Sequence, residues 1–255
     1  MYKGKKNMNN LDFYSTILKR KSVRKYSNEP IDSFDLQRIK DFIEKVTPLY
    51  DNIKTDIVIL PENEIKTILP IKVPHYIVVY SERKDGYLQN VGFMLQQVEL
   101  FLSSNGIGAC WLGMSIPQKV SSARNGLGFV ITLAFGNANE PVHRDDISEF
   151  KRKALSEISS LKDADKLLEA VRLAPSATNS QPWYFSGSID NIIISRKLPN
   201  IIKAVAYNKF NRIDMGIALC HLKIAALHMG KTIEFNRKND EVPKGHEYIT
   251  TAHIK

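Results

Sequence analysis

Two stretches of this chain, 91–105 and 215–229, can be laid over each other without a gap, and that match limits the fold more than any other feature. Gly92 falls on Gly216, Leu95 on Leu219 and Gly106 on Gly230, each pair 124 residues apart. In the first stretch Leu88, Val91, Leu95, Val98 and Leu102 recur at three- and four-residue spacings, so it reads as a long helix with Gly106 at its left-handed C-terminal cap. At a nearby offset of 127, Pro48 falls on Pro175 and Asn52 on Asn179. A shared register across whole helices predicts an internal duplication with a period of about half the chain, too long for a solenoid. Each helix is apolar over much of its surface, which suits burial between two halves.

Between the helices, β-like runs are expected at 56–60, 76–80 and 129–135, and GACWLG at 108–113 reads as a strand entering a tight turn. Upstream, Leu11, Tyr14, Ile17 and Leu18 share a helical face, and Asp32 or Ser33 caps a helix carrying Leu36, Ile39, Phe42, Ile43 and Val46. In the second half, the run 167–173 has helical spacing and stops at Pro175, because proline biases its predecessor away from helical geometry.

Composition excludes several classes. The 255 residues are 43% hydrophobic, enough for a sizeable core, and no apolar run approaches a membrane span. The basic N-terminus, MYKGKKNMNN, has no apolar signal region behind it. Cys110 and Cys220 are too few for a disulfide framework and form no CxxC pair, so a reducing cytoplasm is expected. No histidine set has metal-ligand spacing, and His221 and His228, seven apart, read as incidental. The net charge of +9, densest at Lys3 to Lys6 and Lys19 to Lys25, comes without a recognisable nucleic-acid-binding motif. A solvated basic surface that favours anionic small molecules is the expectation, with no nucleic acid or membrane as partner.

Two stretches carry candidate chemistry. Arg20-Lys21-Ser22-Val23-Arg24-Lys25 follows the first helix with four cations and a hydroxyl, a plausible phosphate site, although basic helix ends are common for other reasons. Ala174 to Trp183, APSATNSQPW, packs Ser176, Thr178, Asn179, Ser180 and Gln181 between a helix end and a strand. Such a loop suits a flat polar heterocycle, since Asn and Gln each present donor and acceptor. It reads equally well as an ordinary connection.

Both stretches resemble the nitroreductase family. A-P-S-A-x-N-x-Q-P-W before a strand is similar to that family's flavin loop, and R-x-S-x-R after the first helix to its FMN phosphate grip. The resemblance implies an α+β nitroreductase-like fold, with FMN as cofactor and NAD(P)H as co-substrate. Arg20, Lys21, Ser22 and Arg24 would hold the phosphate, with Arg144 as a further contact. Pro175, Ser176, Asn179 and Gln181 would lie at the ring, Asn179 and Gln181 at its edge, and Trp111, Leu112 and Gly113 would offer backbone groups to the reactive edge. Trp183 is expected to pack the loop, and no acid–base residue is implied.

The halves, 1–155 and 156–255, have not kept the same chemistry. Thr47 to Asn52 replaces APSATN in the first, and Lys151-Arg152-Lys153 lacks the S-x-R spacing in the second. The family's usual homodimers take grip and loop from different subunits, so this chain resembles the branch in which a fused pseudo-dimer acts alone. One FMN per monomer is then expected. The implied activity is hydride transfer from NAD(P)H through FMN to a nitroaromatic, quinone or similar small acceptor. A dehalogenating or flavin-fragmenting offshoot and a non-catalytic flavin-binding module are the alternatives.

Overall fold

The computed structural model describes residues 12–118, 123–199, 201–238 and 240–255; Lys3 to Lys6 and Leu11 lie outside them. The elements run α1 (Phe13–Ile17), α2 (Ser33–Ile43), β1 (Thr55–Pro61), β2 (Ile65–Thr67), β3 (His75–Ser81), α3 (Tyr87–Ser104), β4 (Gly108–Leu112), β5 (Ser115–Pro117), β6 (Ala123–Arg124) and β7 (Leu127–Gly136). Then follow α4 (Leu155–Ile158), α5 (Asp165–Arg172), β8 (Trp183–Gly187), β9 (Asn191–Lys197), α6 (Ile201–His228), β10 (Ile233–Asn236) and β11 (His246–Ile254). Asp32 caps α2 by accepting from the Phe34 and Asp35 amides, and Gly106 and Gly230 both stand at positive φ just beyond their helices. The second long helix is the main departure from expectation. It begins at Ile201 rather than at Met215, about three turns before Asn211, the position that matches the start of α3.

Two antiparallel sheets have the same plan. The first runs β1-β3-β7-β4 and the second β8-β9-β11-β10, each with its long helix inserted between the second and third strands in chain order. The first sheet adds a connection at 62–74, whose β2 pairs with β5 as a separate ribbon. β3 is buried on both faces and so reads as a nearly unbroken apolar run. Ile77 and Val79 point into the main core, while Tyr76, Val78 and Tyr80 face a second cluster with Val23 and Tyr26. That second cluster fastens the 20–26 segment to the outer face of the sheet.

α3 packs on the first sheet and α6 on the second, and the two helices cross against each other at the centre. The crossing is close because both helices carry glycine there. A Cβ on Gly92 would lie 2.1 Å from the Ile213 carbonyl oxygen, and one on Gly216 would lie 2.0 Å from the Gln89 carbonyl oxygen. Gly92 and Gly216, and likewise Gln89 and Ile213, are 124 residues apart, so the two contacts are related by exchange of the halves. One continuous core joins residues from both sides of this crossing.

Candidate functional site

The segment after α1 is placed by a missing side chain. Gly108 opens β4, the edge strand, and a Cβ there would come within 2.8 Å of Val23. Without it, Val23 donates its amide to the Ala109 carbonyl at 3.0 Å, and Ser22 to Arg24 lie along the strand edge beside Cys110 and Trp111. The Glu140 carboxylate accepts from the Arg24 amide at 2.5 Å and the Lys25 amide at 3.2 Å, and these bonds hold its pKa below the usual range. Across the cavity, α5 stops and Ala174 to Gln181 wraps over α6, with Thr178, Asn179 and Gln181 all at positive φ. Non-glycine residues in that region cost free energy and persist only where the surroundings fix them. Asp214 on α6 does part of that fixing: it accepts the Ala177 amide at 3.1 Å on one oxygen and 3.2 Å on the other.

Between these two segments lies a cavity of about 410 Å³. Ser22 and Arg24 line one side and Pro175 to Thr178 another, although the two stretches are some 150 residues apart in sequence. Trp111, Gly113, Met114 and Ile131 supply a wall from the first sheet, and Tyr207, Phe210, Ile213, Asp214 and Ile217 one from α6. Such a volume suits a small-molecule site: largely apolar, with a few polar groups at fixed places. The Trp111 indole N–H is buried here and has no partner among the described residues. Gly113 leaves room for Phe210, whose ring would be 2.8 Å from a Cβ at that position.

Of the expected contacts, Ser22, Arg24, Trp111, Gly113, Pro175 and Ser176 line this cavity. The others do not. Arg20 is turned inward, 1% exposed, with Nε 3.1 Å from Glu99 Oε1 on α3 and Nη2 donating to the Ser22 hydroxyl at 3.0 Å. Glu99 in turn accepts from Gln96 at 2.7 Å, Gln96 reaches His221 Nε2 at 3.1 Å, and His221 Nδ1 meets the Ala170 carbonyl at 2.8 Å. Burial lowers the His221 pKa to about 3, so the ring is neutral and donates from Nδ1. Lys21 points to Glu140, and Leu112 is buried in the outer cluster. Arg144 donates to the Arg20 carbonyl and stacks on Phe150 at 4.0 Å.

Asn179 and Gln181, expected at a ring edge, bond here to neighbouring residues. Asn179 donates to the Lys151 carbonyl at 2.7 Å and accepts from Arg152 at 2.6 Å; Gln181 accepts from the Lys153 amide at 2.8 Å and donates to the Asn179 carbonyl at 3.1 Å. Each amide thus spends one donor and one acceptor on the strained loop and keeps a second N–H and a second lone pair. Trp183 is buried in the core beneath it, as expected of a packing residue. The sequence reading missed Arg152, Tyr207, Phe210 and Asp214. Asp214 could have been found, since it lies 124 residues after Asn90, which holds the first-half loop by accepting the Leu49 and Tyr50 amides at 2.8 and 3.0 Å.

That first-half counterpart of the cavity is filled by the protein itself. Tyr50 stands where the second half has Ala177, and Arg237 where the first has Gly113. The Arg237 guanidinium lies over the Tyr50 ring at 4.8 Å, and both crowd Gly86, the counterpart of Phe210. The small and large partners have changed places.

A family model for the Putative TM nitroreductase family matches residues 12–226. The chain belongs to that family. Among solved structures, a putative nitroreductase from Thermotoga maritima MSB8 is 21% identical with a TM-score of 0.64, and the alignment covers 100% of this chain and 98% of that one. A nitroreductase family protein from Clostridium difficile 630 is 16% identical over 58% of this chain and 95% of its own, with a TM-score of 0.43. A nitroreductase with bound FMN from Desulfitobacterium hafniense DCB-2 is 16% identical over 56% and 98%, with a TM-score of 0.39. Comparison with curated proteins returns no match. The family and the fold are those of nitroreductases, an oxidoreductase lineage. Among the described residues, no helix is long and apolar enough to cross a membrane and no group of side chains could hold a metal ion.

Proposed function

We propose that this nitroreductase-family protein binds one FMN in the 410 Å³ cavity and passes hydride from NAD(P)H to a nitroaromatic, quinone or similar small acceptor. The observation that carries this reading is the meeting of Ser22 and Arg24 with Pro175 to Thr178 around a single cavity. The donor set fits the cofactor. A hydroxyl and a guanidinium suit a phosphate at one end. Ile131, Ile213, Ile217 and Phe210 suit a flat ring, and the unpartnered Trp111 N–H offers a donor to it. When bound, FMN would supply the hydride-accepting and hydride-donating chemistry. The chain would anchor the phosphate at one end and pack the ring among the apolar side chains of the cavity.

The equivalent strand orders and the exchange-related glycine contacts support reading 1–155 and 156–255 as duplicated halves that pack as one unit. The filled position around Tyr50, Gly86 and Arg237 supports one cofactor per chain, and a monomer in solution. Two buried, unpaired cysteines agree with a cytoplasmic location. The test is an absorption spectrum of the purified protein with FMN quantified against protein, followed by NAD(P)H oxidation with a quinone acceptor. A yellow protein near one FMN per chain and steady turnover are expected. A protein that stays colourless after incubation with FMN overturns the assignment.

A further inference from the structure

Asp214 performs a task that its counterpart performs with an amide. In the first half Asn90, at the equivalent helix position, accepts two loop amides through Oδ1. In the second half Asp214 accepts the Ala177 amide across both oxygens and sits 3.5 Å from the Ser180 hydroxyl, which also lies 3.4 Å from Asn211 Oδ1. Holding the loop needs an acceptor and no charge, as Asn90 shows. A carboxyl adds only a titrating proton, and it stands at the wall of the functional cavity, whereas Asn90 stands where Tyr50 and Arg237 fill the space.

Among the described residues no cation is paired with that carboxyl: Arg152 binds the loop at the Asn179 side chain and Lys153 at the Ser180 and Gln181 carbonyls. The loop 174–183 contains no charged side chain. On α6, Lys209 donates to the Val130 carbonyl, and Arg212 pairs with Glu247. On α5, Arg172 pairs with Glu169. Opposite on α3 the crossing presents Gln89, Gly92 and Phe93, all uncharged. Arg24, Cys110 and Tyr207 are the titratable groups that share the cavity. Asp214 itself is 4% exposed, and this burial raises its pKa to about 8, with the Ala177 and Ser180 bonds opposing the rise.

We propose that Asp214 enters the cavity as a neutral carboxylic acid and donates its proton to the electron acceptor as that acceptor is reduced. The assignment rests on the redox reading of the cavity given above. An acceptor that takes two electrons and one proton as hydride, from a reductant of the dihydronicotinamide class, is one proton short. A quinone plus hydride plus one proton gives the hydroquinone. A nitro group plus hydride plus one proton gives the nitroso compound and water, the N–O bond breaking as oxygen leaves. In each case the Asp214 O–H bond breaks, an O–H bond forms on the acceptor, and solvent later returns a proton to the carboxylate. General acids of this kind contribute roughly a hundred- to ten-thousandfold in rate.

Asp214→Asn is the decisive variant, because Asn90 shows that the amide can hold an equivalent loop. One arm measures urea unfolding of the purified wild-type and variant proteins from pH 5 to pH 9.5, a range set by the pKa of about 8. The variant should gain on the wild type as pH rises towards about 8 and then keep a constant lead. A gap that does not change with pH overturns the neutral acid. The other arm reduces the FMN-loaded proteins photochemically and follows reoxidation by 1,4-benzoquinone. Wild-type rates should fall above pH about 8, while the variant should be about a hundredfold slower at pH 6 and flat with pH. Matching rates and profiles overturn proton donation even if the unfolding gap moves. A protein that takes up no flavin removes the proposed function, and the unfolding arm still decides whether Asp214 holds a proton.

Discussion

Placing alanine at Gly92 tests the helix crossing on which the cavity depends. The added Cβ would start 2.1 Å from the Ile213 carbonyl oxygen, whereas ordinary van der Waals contact begins at 3.4 Å, so α3 and α6 must part by about 1.3 Å. The obstructing atoms are backbone, which cannot rotate away, so the cost belongs near the top of the range of about 1–3 kcal/mol for overpacking. Alanine returns about 1 kcal/mol through its better helix propensity. The net expectation is a loss of about 2 kcal/mol for Gly92→Ala. Gly216→Ala should cost the same, since its Cβ would meet the Gln89 carbonyl oxygen at 2.0 Å. One parting of the helices relieves both clashes, and the double variant collects the propensity gain twice. It should therefore be destabilised by only about 1 kcal/mol, less than either single variant. Urea unfolding followed by far-ultraviolet circular dichroism measures all three. Additive losses of about 4 kcal/mol would refute the shared crossing.

The two arginines of the 20–24 segment should behave differently. Arg24→Ala should weaken FMN binding about ten- to a hundredfold in a fluorescence titration, the loss of a charge-assisted bond of about 1.5–3 kcal/mol, with little change in stability. Arg20→Ala should instead cost about 3–5 kcal/mol in urea unfolding, because it leaves Glu99 buried without its cation. The Asp214 linkage has a definite sign. A folded pKa of about 8 lies above the unfolded value, so the wild type loses about 1.4 kcal/mol per pH unit relative to Asp214→Asn from about pH 4 to about pH 8, and nothing more above that. His221, depressed to about 3, acts with the opposite slope at acid pH but cancels in that difference. Light scattering combined with flavin quantification should give a monomer near 29.0 kDa with one FMN; two FMN per chain would contradict the filled counterpart position.

Periodicity and glycine placement determined much of this protein before any coordinates. The apolar spacing of 88–102, the β-like runs at 56–60, 76–80 and 129–135, and the stop at Pro175 each became the expected element. These signals are local: they depend on backbone preference and on which face of one element is apolar. The match of Gly92 with Gly216 was also legible, and the structure gives it a physical cause in the close crossing of α3 and α6. Motif spacing further singled out the Arg20–Lys25 segment and the Ala174–Trp183 loop, of which Ser22, Arg24 and Pro175 to Thr178 line one cavity.

Direction was what the linear chain could not carry. Arg20 and Arg24 sit in the same motif, yet one is buried against Glu99 and the other is exposed at the cavity, because Val23 between them anchors to β4. Asn179 and Gln181 have the right chemistry for a ring edge, and only the fold shows that one donor and one acceptor of each amide also bind residues 151–153 and the loop's own backbone. The cavity wall that Tyr207, Phe210, Ile213 and Ile217 of α6 supply depends on packing across the molecule rather than on local pattern. Asp214 is the sharpest case. Its acid side chain on an apolar helix is plain in the sequence, but its proton is decided by burial, which only the folded chain provides.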